Sequence, residues 1–224
     1  MTPYINIHTH RPEADTISLL NVRLQSPVPE LPIQGLFTAG IHPWDASVAQ
    51  EEWLDIFRTD HPRLVAVGET GLDFRREFQP FEVQKEWFEK QIEMANRLHK
   101  PLIIHQVHAT NEAMNILGKL ATVPVVLHGF AGSPELVRQW LRSLPEVRFS
   151  FGPMVMRSPK TQAALLMIAA EKPEHFFLET DDDPNTGIQE MHKYTAGLLD
   201  WEIERLKKCI SLNFNNLFSE ITFP

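Results

Sequence analysis

The chain has 224 residues, enough for one domain with a sizeable core, and its 43% apolar and 22% charged content is that of an ordinary globular protein. A formal charge of -8 argues against a broad basic face for nonspecific nucleic-acid binding, although bound divalent ions can supply local positive charge to a phosphate-bearing substrate. Cys209 is the only cysteine, so thiolate metal clusters and intrachain disulfides are excluded and a metal must be held by His, Asp and Glu.

The first stretch, Tyr4-Ile5-Asn6-Ile7-His8-Thr9-His10, reads as a strand ending in two histidines. Strand side chains alternate, so His8 and His10 project to the same side, as a pair of metal-ligating imidazoles would. Residues 16–24 (TISLLNVRL) read as a second strand. The gap after His10 is too short for a crossover helix, so this strand is expected to run antiparallel to the first or to lie outside a regular barrel. Pro27, Pro29 and Pro32 then make a stiff loop. Gly35 to His42 is an apolar strand stopped by Pro43, and Ser47 to Arg58 reads as a helix capped by Ser47, with Trp53, Leu54 and Phe57 on one face.

Leu64 to Glu69 is a short apolar run of the kind buried on both faces of a parallel sheet, and it ends in a carboxylate. Phe81 to His99 is the clearest amphipathic helix, stopped by Pro101. A strand from Leu102 to His105, a helix from Thr110 to Leu120 and a strand from Val123 to His128 follow. Ser133 caps a helix to about Leu144, Val147 to Phe151 is a strand, and Ser158-Pro159 opens another helix. His175 to Thr180 is the last strand, running into Asp181-Asp182-Asp183-Pro184. Gly187 to about Cys209 and Ser211 to Ser219 read as the closing helices.

Eight strand segments alternating with helices predict an α/β fold of TIM-like (β/α)8 type, distorted near the N-terminus where the first helix is missing, in a single domain spanning residues 1–224. The rival is an open doubly wound sheet; the lack of a Gly-rich phosphate loop after the first strand counts against a dinucleotide-binding version. The N-terminal stretch has no basic and apolar leader pattern, so a cytoplasmic location is expected, and no apolar run is long enough to span a membrane.

The chemistry lies where the strands end. His8, His10, His42, Glu69, His105, His128 and Asp181 each follow a short apolar run closely. In a barrel those ends converge on the catalytic face. One such histidine is most simply a hydrogen-bonded structural residue; the repeated placement favours a site. Four histidines and two carboxylates suit two divalent ions with one carboxylate shared, and Glu69 has two oxygens to share. Asp181 can ligate and also accept a proton from the attacking water.

These segments resemble the TatD-related deoxyribonuclease family of metal-dependent hydrolases. The matching stretches are IHTH at His8 and His10, AGIHPW (39–44), VGETGLDF (67–74), residues 84–105 ending in LIIH, VLHGFAGSPE (126–135), LETDDDP (178–184) and NFNNLF (213–218). The resemblance implies a TIM-like barrel and hydrolysis of phosphoester bonds, typically in DNA, by a metal-activated water. It implies that His8, His10, Glu69 and Asp181 hold one metal and that Glu69, His105 and His128 hold a second, the ions being Zn, Mn, Mg or Ni. Glu69 and Asp181 are then the catalytic carboxylates. His42 and Asp73 match positions beside the site, and His108 and Arg75, with Arg76, are weaker prospects for substrate contact, as are the aromatic rings of Trp44, Phe74 and Phe130.

Three departures stand out. The segment between His10 and Gly40 is short; Gln106-Val107-His108 stands where the family places an Arg; and the loop after Pro184 is trimmed. The partners expected are therefore a phosphoester substrate such as DNA ends, with no membrane and no obligate protein partner. Two other readings remain beside this one. A related barrel hydrolase would act on a carboxylic ester, lactone or amide, which is disfavoured because no lysine stands at a strand end. A non-catalytic metal-binding barrel is the other.

Overall fold

The structure is a computed structural model that describes residues 2–59, 61–75 and 79–219. In chain order its elements are β1 (Tyr4–Thr9), β2 (Thr16–Arg23), β3 (Leu36–Gly40), β4 (Leu64–Asp73), α1 (Phe81–Leu98), β5 (Leu102–Val107), α2 (Thr110–Leu120), β6 (Val125–Leu127), α3 (Pro134–Ser143), β7 (Arg148–Phe151), α4 (Pro159–Glu171), β8 (Phe176–Leu178), α5 (Ile188–Leu199) and α6 (Ile203–Leu217). Strand order follows chain order from β1 to β8. The fold class is the TIM-like (β/α)8 one, and the chain divides into two compact units.

The first unit holds the chain up to Leu20 and from His128 onward. Its strands are apolar on both faces, with Ile5, Ile7, Phe149, Phe151, Phe176, Phe177 and Leu178 buried, as strands covered by helices must be. Leu165 and Ile168 of α4 are buried with them. On the other face of β1, Asn6 and His8 are polar and equally buried. Asn6 donates to the Thr180 hydroxyl at 2.8 Å and accepts the Thr180 N–H at 3.2 Å, which ties β1 to the end of β8.

The expectation for β2 is corrected. Tyr4, Ile5 and Asn6 pair in parallel with Thr16, Ile17 and Ser18. No helix is needed because residues 10–15 alone can carry the chain back: six extended residues span about 20 Å, against a rise of about 17 Å along β1. The missing helix thus costs the sheet no strand. The break among the last helices is also earlier than expected. Asp200 adopts a left-handed conformation (φ 52°) and closes α5, and the Trp201 N–H bonds back to the Ala196 carbonyl.

The second unit spans Asn21 to Leu127. Leu64–Val67 of β4 and Leu102–Ile104 of β5 are wholly buried, and α1 covers β4 with Phe88 and Ile92. The segment expected as a helix from Ser47 is instead a 3-10 stretch, Glu51–Arg58, although Trp53, Leu54 and Phe57 do share its buried face. Ser47 does not cap it, because its N–H and hydroxyl are both taken by Gln79 Oε1, at 3.0 and 2.7 Å. Gln50 stands in the cap position without a side-chain bond.

β4 runs past Glu69 to Asp73, four residues beyond the expected end. Its two glycines explain why. A Cβ on Gly68 (φ +144°) would lie 2.3 Å from the Ile103 carbonyl, and one on Gly71 (φ +143°) 2.0 Å from the His105 carbonyl. Only glycine lets the strand pass so close to β5. One strand therefore delivers both Glu69 and Asp73.

Candidate metal centre

Each unit gathers its own cluster of ligand-type side chains. In the first, Asp181 is fixed by the backbone of β1: its N–H donates to the His8 carbonyl and its carbonyl accepts the His10 N–H, each at 3.1 Å, with φ 53° at Asp181. This brings Asp181 Oδ1 to 3.5 Å from His8 Nε2 and 3.6 Å from His10 Nε2. His128 completes the group, its ring 4.3 Å from that of His8, and ligand atoms of His8, His128 and Asp181 all lie within 4.8 Å of one another. Four ligands about 2.1 Å from a tetrahedral ion stand about 3.4 Å apart, so these spacings suit a bound cation. The cluster is half open: the side chain of His8 is 0% exposed, while those of His10 and Asp181 are 35% and 37% exposed.

Glu179 belongs to this unit and was not singled out from the sequence. It is fully buried, its Oε1 accepts the Gly129 N–H at 2.7 Å and lies 3.4 Å from His128 Nδ1. A carboxylate behind a ligating imidazole fixes its tautomer and orientation. A signal was present: Glu179 and Asp181 stand two residues apart at the end of an apolar strand.

In the second unit, Glu69 Oε1 lies 2.8 Å from His105 Nδ1 and 3.4 Å from His42 Nε2. On the other side of His105, Nε2 meets Asp73 Oδ2 at 3.1 Å. Burial acts to raise Asp73, but hydrogen bonds from His105, Arg75 and Trp44 outweigh it and hold the carboxyl well below the usual carboxylate range. Asp73 is thus an ionised acceptor, and His105 Nε2–H is its donor. That leaves the Nδ1 lone pair 2.8 Å from a carboxylate oxygen. Two acceptors hold that spacing only with positive charge between them, a proton or a metal ion. The 2.8 Å separation is that of a hydrogen bond, so a cation bound here would replace a proton and spread the pair.

Burial pushes His42 down to about 4, with the Glu69 carboxylate pulling the other way. The ring is therefore neutral at pH 7. Its Nδ1 accepts the Trp44 N–H at 3.1 Å, so the proton sits on Nε2, which faces Glu69. Distance alone would let His42 join Glu69 and His105 as a ligand. The tautomer makes it a hydrogen-bond donor instead.

The expected site residues thus fall into two sets: His8, His10, His128 and Asp181 in one unit, and His42, Glu69, His105 and Asp73 in the other. His128 is grouped with His8 and Asp181, and His42 with Glu69 and His105. The substrate prospects are placed differently. Arg75 folds back onto Asp73, NH2 to Oδ2 at 3.2 Å, with its side chain 54% exposed. His108 is exposed and left-handed (φ 55°). Phe130 packs edge-on against Phe149 and Phe151, and Phe74 against Phe81. Trp44 braces the site, its indole N–H donating to Asp73 Oδ2 at 2.7 Å. Asp183 accepts the Asn185 N–H in a turn. Arg76 lies outside the described residues. Among the described residues, no helix is long and apolar enough to cross a membrane.

With this geometry in hand, the chain can be compared with known proteins. It is 34% identical over 125 residues to an uncharacterized metal-dependent hydrolase, YabD, of Bacillus subtilis, covering 54% of this chain and 49% of that protein. It is 40% identical over 103 residues to the 3'-5' ssDNA/RNA exonuclease TatD of Escherichia coli, covering 44% and 39%, and 33% identical over 113 residues to human deoxyribonuclease TATDN3, covering 49% and 40%. The matches span about half or less of these relatives. Among solved structures, YJJV, a TatD homolog from Escherichia coli, superposes with a TM-score of 0.81 at 19% identity over 96% of this chain and 98% of that one, which supports the fold. The family model described as TatD related DNase matches residues 28–219. That span takes in most of both clusters' carriers, and the chain belongs to the TatD-related DNase family.

Proposed function

We propose that the protein is a divalent-metal-dependent hydrolase of phosphoester bonds, a TatD-like deoxyribonuclease. The observation that carries this reading is that each unit gathers imidazole and carboxylate ligand atoms within 4.8 Å of one another. Family membership and the relatives named as exonuclease and deoxyribonuclease support the substrate class, a phosphoester such as a DNA or RNA end. Each cluster would take a divalent ion: His8, His10, His128 and Asp181 would hold one, and Glu69 with His105 would hold another. Zn, Mn, Mg and Ni all suit such His and carboxylate donors. A chain with one cysteine gains nothing from an oxidising compartment, which agrees with a cytoplasmic enzyme.

Bound divalent ions supply Lewis acidity and lower the pKa of water in such sites. The residues of the chain do the rest. Asp181, the more exposed carboxylate, accepts a proton from the attacking water. The His42 Nε2–H faces Glu69 Oε1 and orients that carboxylate. Asp73 orients His105, and Glu179 orients His128. The partly open first cluster leaves an approach for the substrate.

The test is metal analysis of the purified full chain together with hydrolysis of single-stranded DNA, RNA and small phosphodiesters. Divalent metal should be required, and Glu69→Ala should abolish turnover. Hydrolysis that survives both chelation and this substitution would sink the reading. Comparing phosphodiester with carboxylic ester substrates separates it from a carbon-ester hydrolase.

A further inference from the structure

Arg23 is the last residue of β2. The Leu24 N–H beside it donates to the Gly40 carbonyl at 2.8 Å, so the end of β2 lies level with the end of β3, which leads into His42. The Arg23 guanidinium is forked onto Asp45: Nε donates to Oδ2, and Nη2 to Oδ1 at 2.7 Å. It also stands over Trp44, 5.6 Å from the ring centre. The Trp44 ring in turn lies 4.6 Å from that of His42 and 6.1 Å from that of His105. This cation is therefore one indole away from the second cluster. The acid is the more buried partner, its side chain 15% exposed against 31% for Arg23. The fork takes two of the five N–H donors of a guanidinium, both on one edge. Among the described residues, the opposite edge meets no hydrogen-bond acceptor.

We propose that Arg23 anchors a single nucleic-acid strand, taking with that opposite edge a phosphate next to the one being cleaved. The inference rests on the phosphoester reading above and names a residue on its substrate side. Asp45 and Trp44 fix a long side chain that would otherwise rotate freely, so little ordering remains to be done when a phosphate arrives. The residue type follows from the same geometry. A planar guanidinium can bond a carboxylate along one edge and two phosphate oxygens along another, whereas a lysine ammonium has no such edges. The charge of the chain is consistent with it. At -8 there are few cations to spread along a strand, and one held beside the cluster puts positive charge where the backbone must be gripped.

The test is binding of the full chain to a short fluorescein-labelled single-stranded DNA, read by anisotropy under chelator across a salt series, with circular dichroism to confirm folding. Each phosphate contact to a single strand adds about 0.7 to the slope of log affinity against log salt. Arg23→Met should lower the magnitude of that slope by about this amount and weaken binding roughly tenfold. Arg23→Lys keeps a charge without the fork, so it guards against a folding failure; it should restore the slope and only part of the affinity. Asp45→Asn keeps the arginine and should keep the slope, even where the melting temperature falls. A pair that only ties β2 to the turn at Trp44 would instead make Arg23→Met and Asp45→Asn alike in both readouts. In hydrolysis, Arg23→Met should raise KM for the DNA more than for bis(p-nitrophenyl) phosphate, which has no flanking phosphate. An unchanged slope in folded Arg23→Met, or a wild-type chain that does not bind the DNA, overturns the inference; turnover of the small diester then leaves the phosphoester reading standing. A chain that binds DNA through Arg23 yet hydrolyses no phosphoester with Zn, Mn, Mg or Ni overturns that reading and, with it, the inference that the contact flanks a scissile bond.

Discussion

Two clusters of the same chemistry are held in different ways. In the second unit every ligand-type side chain has a brace. Asn21 holds Glu69, Asp73 holds His105, and the Trp44 N–H holds His42; Trp44, Arg75 and the Gln84 amide oxygen in turn hold Asp73, the last through the Asp73 N–H at 2.8 Å. His42, Glu69 and His105 are nearly sealed, at 6%, 7% and 10% side-chain exposure. In the first unit the brace is mainly backbone, β1 against the end of β8, and Asp181 and His10 are each more than a third exposed. Buried polar groups must be satisfied in advance, and so they form a rigid network. Exposed ligands can wait for the cation and substrate. The two clusters therefore differ in how much of their division between braced and open side chains is set before any cation binds.

The largest effect expected from that division is at Asp181. Asp181→Asn removes the proton acceptor and one charged ligand while keeping the shape. We expect phosphodiester turnover to fall by about 10²–10⁴-fold, the range for a lost general base, with little change in thermal stability because the side chain is exposed. Steady-state kinetics beside a melting curve checks both halves. A variant that keeps most of its turnover would remove Asp181 from the chemistry. The next effect is in the braced unit. Asp73→Asn loses the charge that orients His105, and metal affinity should drop by roughly 10–100-fold. Here a loss of stability should accompany it, since Arg75, Trp44 and His105 all lose an ionised acceptor. If affinity falls with no change in melting temperature, the second unit is less rigidly organised than its hydrogen bonds imply.

How far the sequence discloses such a molecule depends on the kind of interaction. Strands β5 to β8 are legible because nearly all their residues are buried, so each reads as a nearly unbroken apolar run. The ligand-type side chains are legible because each follows such a run closely. β2 misleads because a rule about crossover length stands in for the actual reach of residues 10–15. The end of α5 is hidden because Asp200 enters a left-handed conformation within a stretch of helix formers, and nothing local marks it. Gly68 and Gly71 lie in a recognised motif, yet their reason is a backbone approach to β5 that no local pattern announces. The grouping of His128 with His8, and of His42 with Glu69, is likewise a matter of distance rather than order. Asn21 is hidden more deeply. An asparagine on an alternating strand looks like a solvent-facing residue until its partner, 48 positions away, is seen.

Glu179 tests whether the first unit has any side-chain brace at all. Glu179→Gln keeps the size and an oxygen for the Gly129 N–H but removes the charge 3.4 Å from His128 Nδ1. Metal affinity should weaken by about tenfold, the lower end of the range for such supporting groups, because His8, His10 and Asp181 remain. Calorimetric titration of the variant beside Asp73→Asn makes the comparison direct. An effect as large as that of Asp73→Asn would mean that both clusters depend equally on a carboxylate behind an imidazole, and the contrast would narrow to exposure alone.

The smallest effect concerns stability and lies away from either cluster. His192 of α5 is fully buried in the first unit, with Nδ1 bonded to the Ile188 carbonyl at 2.9 Å, and burial pushes its pKa down to about 4. In the unfolded chain the same ring titrates near the usual 6.5. Between these values the unfolded state binds more protons, so stability rises with pH across that window and is lost as pH falls through it. From pH 7 down to 5.5 this one group should remove about 1 kcal/mol. His192→Phe keeps an aromatic ring against Tyr4, which meets His192 edge-on at 5.2 Å, and should flatten that part of the curve while costing something at pH 7 for the lost bond to Ile188. Denaturant melts of both proteins at pH 7 and pH 5.5 measure the difference of differences. Equal slopes would mean that the ring already binds its proton in the folded state. The packing around Tyr4 would then have to tolerate a charge that its burial argues against.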